Sequence, residues 1–245
     1  MTEKLIFDDF DKLFYDVEKE TKQKEEKNRY YLWTEWYSNW IDLFKWFDEL
    51  TKEQRYKSLF LYRFLELNKQ LLWICKCVQS GAYPTTIREL RFVFESFIQA
   101  YCIDKEYPES EIEYKLDIIK KFDKPPYELS GSKLINRTNL ENKDELKKLY
   151  SELSNYTHSS YESLKSPIKE GKVDTTIIFT YNKELFDKCH IFTNDVMDAI
   201  IFVLISFEKR MIKKIQEDEL MMQFLKETNC ELSLKLLDKE IEGHH

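Results

Sequence analysis

A chain of 245 residues with 38 Lys+Arg against 45 Asp+Glu carries a net charge of −7. It therefore has no global attraction for a phosphate backbone, which argues against non-specific DNA binding and leaves only a local basic groove for nucleic acid. Hydrophobic residues make up 42% and aromatics 15%, while only four glycines and five prolines occur. So few breakers over such a length favour long helices over many short strands, and the expected fold is an all-α multi-helix bundle with long central helices and one short β arm.

Residues 3–27 place Leu5, Phe7, Phe10, Leu13, Phe14 and Val17 at helical spacing among dense charge. The run from Glu18 to Lys27 is almost wholly polar and reads either as a solvated continuation of that helix or as a linker. An aromatic stretch from Tyr30 to Leu50 holds Trp33, Trp36, Trp40 and Trp46. It reads mainly as core, with an exposed partner-binding patch as the alternative. Residues 1–50 are accordingly expected to form an N-terminal aromatic helical region, through which a protein partner would dock if its rings are exposed. The bundle proper is expected over 51–242, and Gly243-His244-His245 looks like a tag remnant.

Thr51 is predicted to cap a helix running to about Ser80. Gly81 stands where a C′ glycine belongs and Pro84 where the next helix begins, which together signal a helical hairpin. In that second helix Ile87, Leu90, Phe94, Phe97, Ile98 and Tyr101 share one face, and Arg88, Arg91, Glu95, Gln99 and Cys102 run along its flank. From Glu109 to Phe122 an amphipathic helix is expected through Ile112, Leu116, Ile119 and Phe122, ended by Pro125-Pro126. The polar stretch from Lys124 to Asn142, with Ser130-Gly131-Ser132 and Arg137, reads as a mobile loop.

Helix is expected again from about Asp144 to His158, with Leu146, Leu149, Leu153 and Tyr156 on its apolar face and Ser151, Ser154 and His158 on the flank. The β-branched run from Val173 to Thr180 is a short strand or ordered arm. A long helix from about Lys183 to Gln216 should supply the central apolar stripe: Phe186, Cys189, Val196, Ile200, Leu204, Phe207 and Met211. The segment from Glu219 to Ile241 is one more amphipathic helix. The longest apolar run, Ala199 to Ile205, is far shorter than the roughly 20 residues that span a bilayer, and the N-terminus has no signal-peptide hydrophobic stretch. No membrane association is expected, and a cytoplasmic location is. The five cysteines, Cys75, Cys77, Cys102, Cys189 and Cys230, lack a ligand-type CxxC pairing. They read as reduced and mostly buried, with no cofactor or metal implied.

The chemistry-bearing residues lie on two helix flanks. A flank is neither fully buried nor freely solvated, so ionisable groups there can be tuned. His158, with a pKa nearest neutrality, is the candidate general acid/base. Arg91 is the candidate for an anionic phosphate, and Glu95 the candidate to orient Arg91 or His158. Ser154 and Tyr150 would donate hydrogen bonds, and Arg88 and Arg137 are further candidate binding residues. The plainer reading makes Arg91–Glu95 an ordinary i, i+4 ion pair contributing about 0.2–0.5 kcal/mol, with His158 capping a helix C-terminus. A Ser154–His158 nucleophilic pair fits poorly, because both sit on one helix with no turn presenting the serine. On the long helix Asp187, His190, Asn194 and Asp198 lie along another flank. They suit a hydrogen-bonded interhelical histidine better than a metal site, which normally wants more Cys or His.

Ile87-Arg88-Glu89-Leu90-Arg91 with Glu95, Ala100-Tyr101 and Asp104, followed by Tyr150, Leu153-Ser154, His158 and Ser160, resembles the HEPN superfamily of prokaryotic and higher-eukaryotic nucleotide-binding domains over about residues 55–215. That resemblance implies a helical bundle, a homodimer, and RNA or nucleotide as partner. Many such proteins are metal-independent ribonucleases of defence or stress systems, and others only bind. Catalytic members place an arginine four to six residues before the histidine. Here the nearest preceding arginine is Arg137, 158 − 137 = 21 residues away, so the charge would have to come from Arg91 or Arg88 on a neighbouring helix.

Overall fold

The computed structural model describes residues 3–45, 52–122, 131–157, 168–169, 172–173 and 181–242. Among these the fold is all-helical apart from one two-residue β pair. The helices are α1 (Glu3–Lys24), α2 (Lys27–Lys45), α3 (Lys52–Lys57), α4 (Leu59–Gln79), α5 (Tyr83–Glu106), α6 (Ile112–Phe122), α7 (Gly131–Arg137), α8 (Lys143–Thr157), α9 (Lys183–Phe207), α10 (Arg210–Glu217), α11 (Glu219–Glu227) and α12 (Glu231–Glu242). Strands β1 (Ile168–Lys169) and β2 (Lys172–Val173) pair antiparallel. The remainder of the predicted arm, 174–180, lies outside the described residues, as do Thr51, Pro125-Pro126 and Trp46.

The bundle is organised around α5 and α9. The stripe Ile87, Leu90, Phe94, Phe97, Ile98 and Tyr101 is fully buried, as are Phe186, Cys189, Val196, Ile200 and Leu204 on α9. They form one hydrophobic cluster with α4, α8 and the α2 side chains Leu32, Trp33, Trp36 and Leu43. The α2 indoles are tied to α9: Trp33 Nε1 donates to Thr193 Oγ1 at 2.8 Å, and Trp36 Nε1 donates to Asn194 Oδ1 at 2.8 Å. Helix α9 is long and apolar enough to span a membrane by length and composition, yet 67% of its most apolar stretch is buried inside the fold. Its composition is that of a core helix.

The predicted hairpin is present. Gly81 takes φ +76°, Ala82 N–H donates to Cys77 O at 2.8 Å and Gly81 N–H to Val78 O at 3.2 Å. This is the Schellman closure that a residue without Cβ makes cheaply. Elsewhere the structure corrects the expected elements. The single helix predicted from Thr51 to Ser80 is two, because Ser58 turns extended (φ −86°, ψ 106°) and caps α4 by accepting from Leu61 N–H. The helix predicted over Lys183–Gln216 ends at Phe207, where Glu208 is extended (φ −131°, ψ 90°) and its carboxylate is held by Arg210 at 2.7 Å. The segment Glu219–Ile241 is also two helices, divided where Asn229 enters the left-handed region at φ 57°. Within the stretch read as a mobile loop, residues 131–137 form helix α7, which buries Leu134 and Ile135. Helix α6 buries Lys115 and Ile118 and packs half-buried Ile112 and Ile119 of the predicted stripe against the core, but it leaves Leu116 51% exposed, so its inward face is turned from Leu116 towards Lys115. A buried countercharge for Lys115 is the reason.

That countercharge is Asp104, at the last turn of α5. Its carboxylate accepts from Ser58 Oγ (3.0 Å), Leu59 N–H (3.0 Å), Phe60 N–H (2.9 Å) and Lys115 Nζ (2.8 Å). Lys115 Nζ also donates to Lys57 O at 2.6 Å. Asp198 does the same for α12: it accepts from Leu232 N–H, Ser233 N–H and Ser233 Oγ at 2.6–2.9 Å. Two helices thus begin on carboxylates supplied by other helices, where orphan N–H groups and the helix dipole favour an anion.

Candidate functional site

The α8 helix runs antiparallel to α5 and α9. Its middle meets Arg91, and its last turn reaches the first half of α9, where Tyr156 stacks edge-on against Phe192 with centroids 5.7 Å apart. This arrangement unites several residues singled out from sequence. Arg91 Nη2 donates to Tyr150 Oη at 2.7 Å, with the guanidinium 5.0 Å from the centre of the Tyr150 ring. Glu95 Oε2 lies 4.0 Å from Arg91 Nη2, and Glu95 Oε1 accepts from Gly131 N–H at 3.0 Å. Arg91 and Glu95 side chains are 18% and 25% exposed, so the pair sits on the half-buried flank that the pattern predicted.

Gly131 is the member that sequence reasoning missed. It opens α7 at φ +60°, and a Cβ there would lie 3.1 Å from the Tyr150 ring. The glycine thus lets the α7 backbone approach both Glu95 and Tyr150. Ser154, one turn beyond Tyr150, donates its hydroxyl to Tyr150 O at 2.7 Å, a bond within its own helix. His158 immediately follows α8 and lies outside the described residues.

The other candidates are elsewhere. Arg88 is one turn before Arg91 on α5, 62% exposed and 3.7 Å from Glu89. Arg137 is at the far end of α7, held by Glu106 through bonds of 2.8–3.2 Å. Glu106 is 15 residues along α5 from Arg91, about 22 Å on a helix, so Arg137 does not join this cluster.

The flank of α9 around His190 is a structural network. Asp187 is ion-paired with Arg29 and with Lys183, Asn194 accepts from Trp36, and Asp198 caps α12. His190 lies edge-on to Trp33 at 6.1 Å. Burial first, and the nearby Arg29 charge second, lower its pKa. Beside it, the buried Glu25 carboxylate is held by Arg29 Nη1 at 2.9 Å, by Lys183 Nζ at 3.7 Å and by the Tyr181 hydroxyl. Burial, then that carboxylate, raises the Tyr181 pKa. Among the described residues no group of three or more His, Cys, Asp and Glu is placed to hold a metal. None of the cysteines is in a disulfide, and burial pushes the thiols of Cys75, Cys77 and Cys102 up to about 12, which keeps them protonated and unreactive near neutrality.

A concavity of about 460 Å³ opens between α3 and the ends of α5 and α9, bordered by Lys57, Asp104, Lys105, Lys115 and Glu208. Its basic and acidic groups are largely committed to one another, as in the Asp104–Lys115 pair on its floor.

Comparison of the chain with protein-family models, with curated proteins and with solved structures finds no match.

Proposed function

We propose that this chain is a HEPN-like, RNA- or nucleotide-directed helical protein of prokaryotic defence or stress, with metal-independent endoribonuclease activity. One observation carries the reading: Arg91, Glu95 and Tyr150, from two helices distant in sequence, meet on a half-buried flank. The chain then leads from Tyr150 to His158 in two helical turns' worth of residues. In the proposed reaction His158 takes the proton of a ribose 2′-hydroxyl as its oxygen attacks the adjacent phosphorus. The P–O5′ bond breaks, the 5′-oxygen leaves taking a proton from a solvent water that the His158 imidazolium reprotonates, and a 2′,3′-cyclic phosphate remains. Arg91 neutralises charge that builds on the non-bridging oxygens, and Arg88, one turn away and exposed, contacts the flanking phosphate. Glu95 and Tyr150 hold the guanidinium in place.

The experiment is RNA binding and cleavage in the presence of a chelator, with wild type beside His158→Ala and Arg91→Ala. Cleavage lost in both variants supports the assignment. Cleavage that survives His158→Ala removes that residue from the mechanism. Absence of both RNA binding and cleavage favours a second reading, a non-catalytic protein-binding or scaffold role. The observation favouring that second reading is that the Arg91 guanidinium is stacked on Tyr150 and bonded to it, as a purely structural arginine would be.

A further inference from the structure

Helix α4 packs its inner face on α5 and α2, and its outer face carries one cation framed by large apolar side chains. At 100° per residue Tyr62, Leu65, Lys69, Leu72 and Trp73 fall within about 100° of the helix circumference. Leu65 lies one turn before Lys69, and Leu72 and Trp73 lie one turn after it. Tyr62, Leu65, Leu72 and Trp73 are 43%, 48%, 48% and 51% exposed. Scattered surface leucines require no explanation; large side chains grouped on both sides of one charge do. At roughly 200 Å² for a large side chain, half-exposure of four amounts to about 400 Å². That is about half of what one partner gives to a standard interface, an area that suits one helix laid across the face rather than a permanent subunit.

The charges give the occupant's chemistry. Glu66, at the edge of the face, is held by Arg63 within α4. Lys76, beyond Trp73, is held by Glu18 of α1 at 2.6 Å. Lys69 is exposed and has no ion-pair partner among the described residues. Whatever covers the apolar residues also covers Lys69, and an ammonium taken out of water without a partner is costly. The occupant therefore brings a carboxylate to the centre and apolar side chains one turn to either side. A second copy of this face offers another Lys69 and a Glu66 already engaged by Arg63, so it does not meet that need. A phosphate backbone answers the cation but sets Leu65 and Leu72 against polar atoms.

We infer that this face docks an amphipathic helix of another protein, whose apolar stripe carries an acidic residue that pairs with Lys69. Tyr62 and Trp73, at the two ends of the face, are its anchors, since such rings dominate interface energies. The docking face is separate from the candidate site. Gln70 of α4 bonds Glu89 on one flank of α5, whereas Arg91 bonds Tyr150 of α8 on the opposite flank. The inference therefore holds whether or not the chain cleaves RNA.

The test uses two synthetic peptides of about 18 residues, stapled so that they stay helical in isolation. Each presents leucines three and four residues to either side of a central residue, glutamate in one and lysine in the other. Binding of the labelled peptides to the full chain is read by fluorescence anisotropy. The glutamate helix should bind, and the lysine helix about tenfold more weakly. Lys69→Glu should invert that order. Leu72→Ser, with unchanged far-UV circular dichroism because its position is exposed, should weaken both by about tenfold. A chain that binds neither helix, or a preference that Lys69→Glu leaves unchanged, overturns the inference. So does a wild type that covers this face by itself, dimerising through Leu72, or that takes up phosphatidylglycerol vesicles through it in preference to either peptide. RNA binding and cleavage are read separately on Leu72→Ser, so failure of the docking face and failure of the proposed ribonuclease remain distinguishable.

Discussion

Replacing Asp104 by Asn is the sharpest test of how this bundle is held together. The carboxylate is 3% exposed, and its partner Lys115 1% exposed. It accepts four hydrogen bonds, two of them from the first N–H groups of α4. An amide fills the same volume but carries no charge, and one of its two ends turns a donor towards donors. Lys115 is then left as a buried ammonium with Lys57 O as its remaining described acceptor. Removing one partner of a buried ion pair costs about 3–5 kcal/mol. For a chain of this size each kcal/mol lowers Tm by roughly 2–4 °C, so the melting temperature should fall by about 6–20 °C. Lys115→Met should cost less, about 1–2 kcal/mol, because Asp104 keeps its three other donors at a helix N-terminus, where an anion is favourable. The two residues should couple: the double variant should be more stable than the sum of single losses predicts by at least about 1.5 kcal/mol. Urea denaturation of the four proteins measures this. An Asp104→Asn variant within about 1 kcal/mol of wild type, or strictly additive losses, would refute the account of Asp104 as a trans-acting cap with Lys115 as its countercharge.

Gly131→Ala should destabilise by about 1–2 kcal/mol, since φ +60° disfavours a Cβ; because that Cβ would press on Tyr150, tyrosine emission should shift and RNA binding should weaken, while a stability loss with both readouts unchanged would disconnect Gly131 from the Arg91 cluster. The His190 pKa lies below its ordinary value through burial, so the folded state binds that proton less readily than the unfolded one. Its contribution to stability is complete above about pH 6.5 and is lost as pH falls through the folded value. His190→Gln should flatten the decline in urea midpoint between neutrality and pH 5, and an unchanged slope would refute the assignment.

Local pattern carried far in this chain. The scarcity of breakers announced the helical class, and the 3.6-residue spacing of Ile87, Leu90, Phe94, Phe97 and Tyr101 identified the buried face of α5 before any packing was visible. Gly81 and Pro84 marked the hairpin, because a left-handed C′ residue and a proline in the first turn are local requirements. The same periodicity put Arg91 and Glu95 on one flank, and Ser151, Ser154 and His158 on another. Asp104 was legible only in part: it continues the buried face at seven residues from Phe97, an odd place for an acid.

What local pattern could not decide was which distant group completes each arrangement. The starts of α4 and α12 are reinforced by Asp104 and Asp198, carboxylates lying 46 and 35 residues from the hydroxyls of Ser58 and Ser233 they bind; Ser58 is also a local serine cap, but a carboxylate reaching in from another helix has no local signal. The rotation of α6, which buries Lys115 and exposes Leu116, follows from the same charge pair. The approach of α7 to Glu95 and Tyr150 rests on contacts across 36 residues for the Gly131–Glu95 bond. Spacing along a helix specifies which side chains share a face, because that depends only on 100° per residue. Which face meets which is settled by long-range packing and by where buried charge finds its partner, and only the tertiary structure contains that.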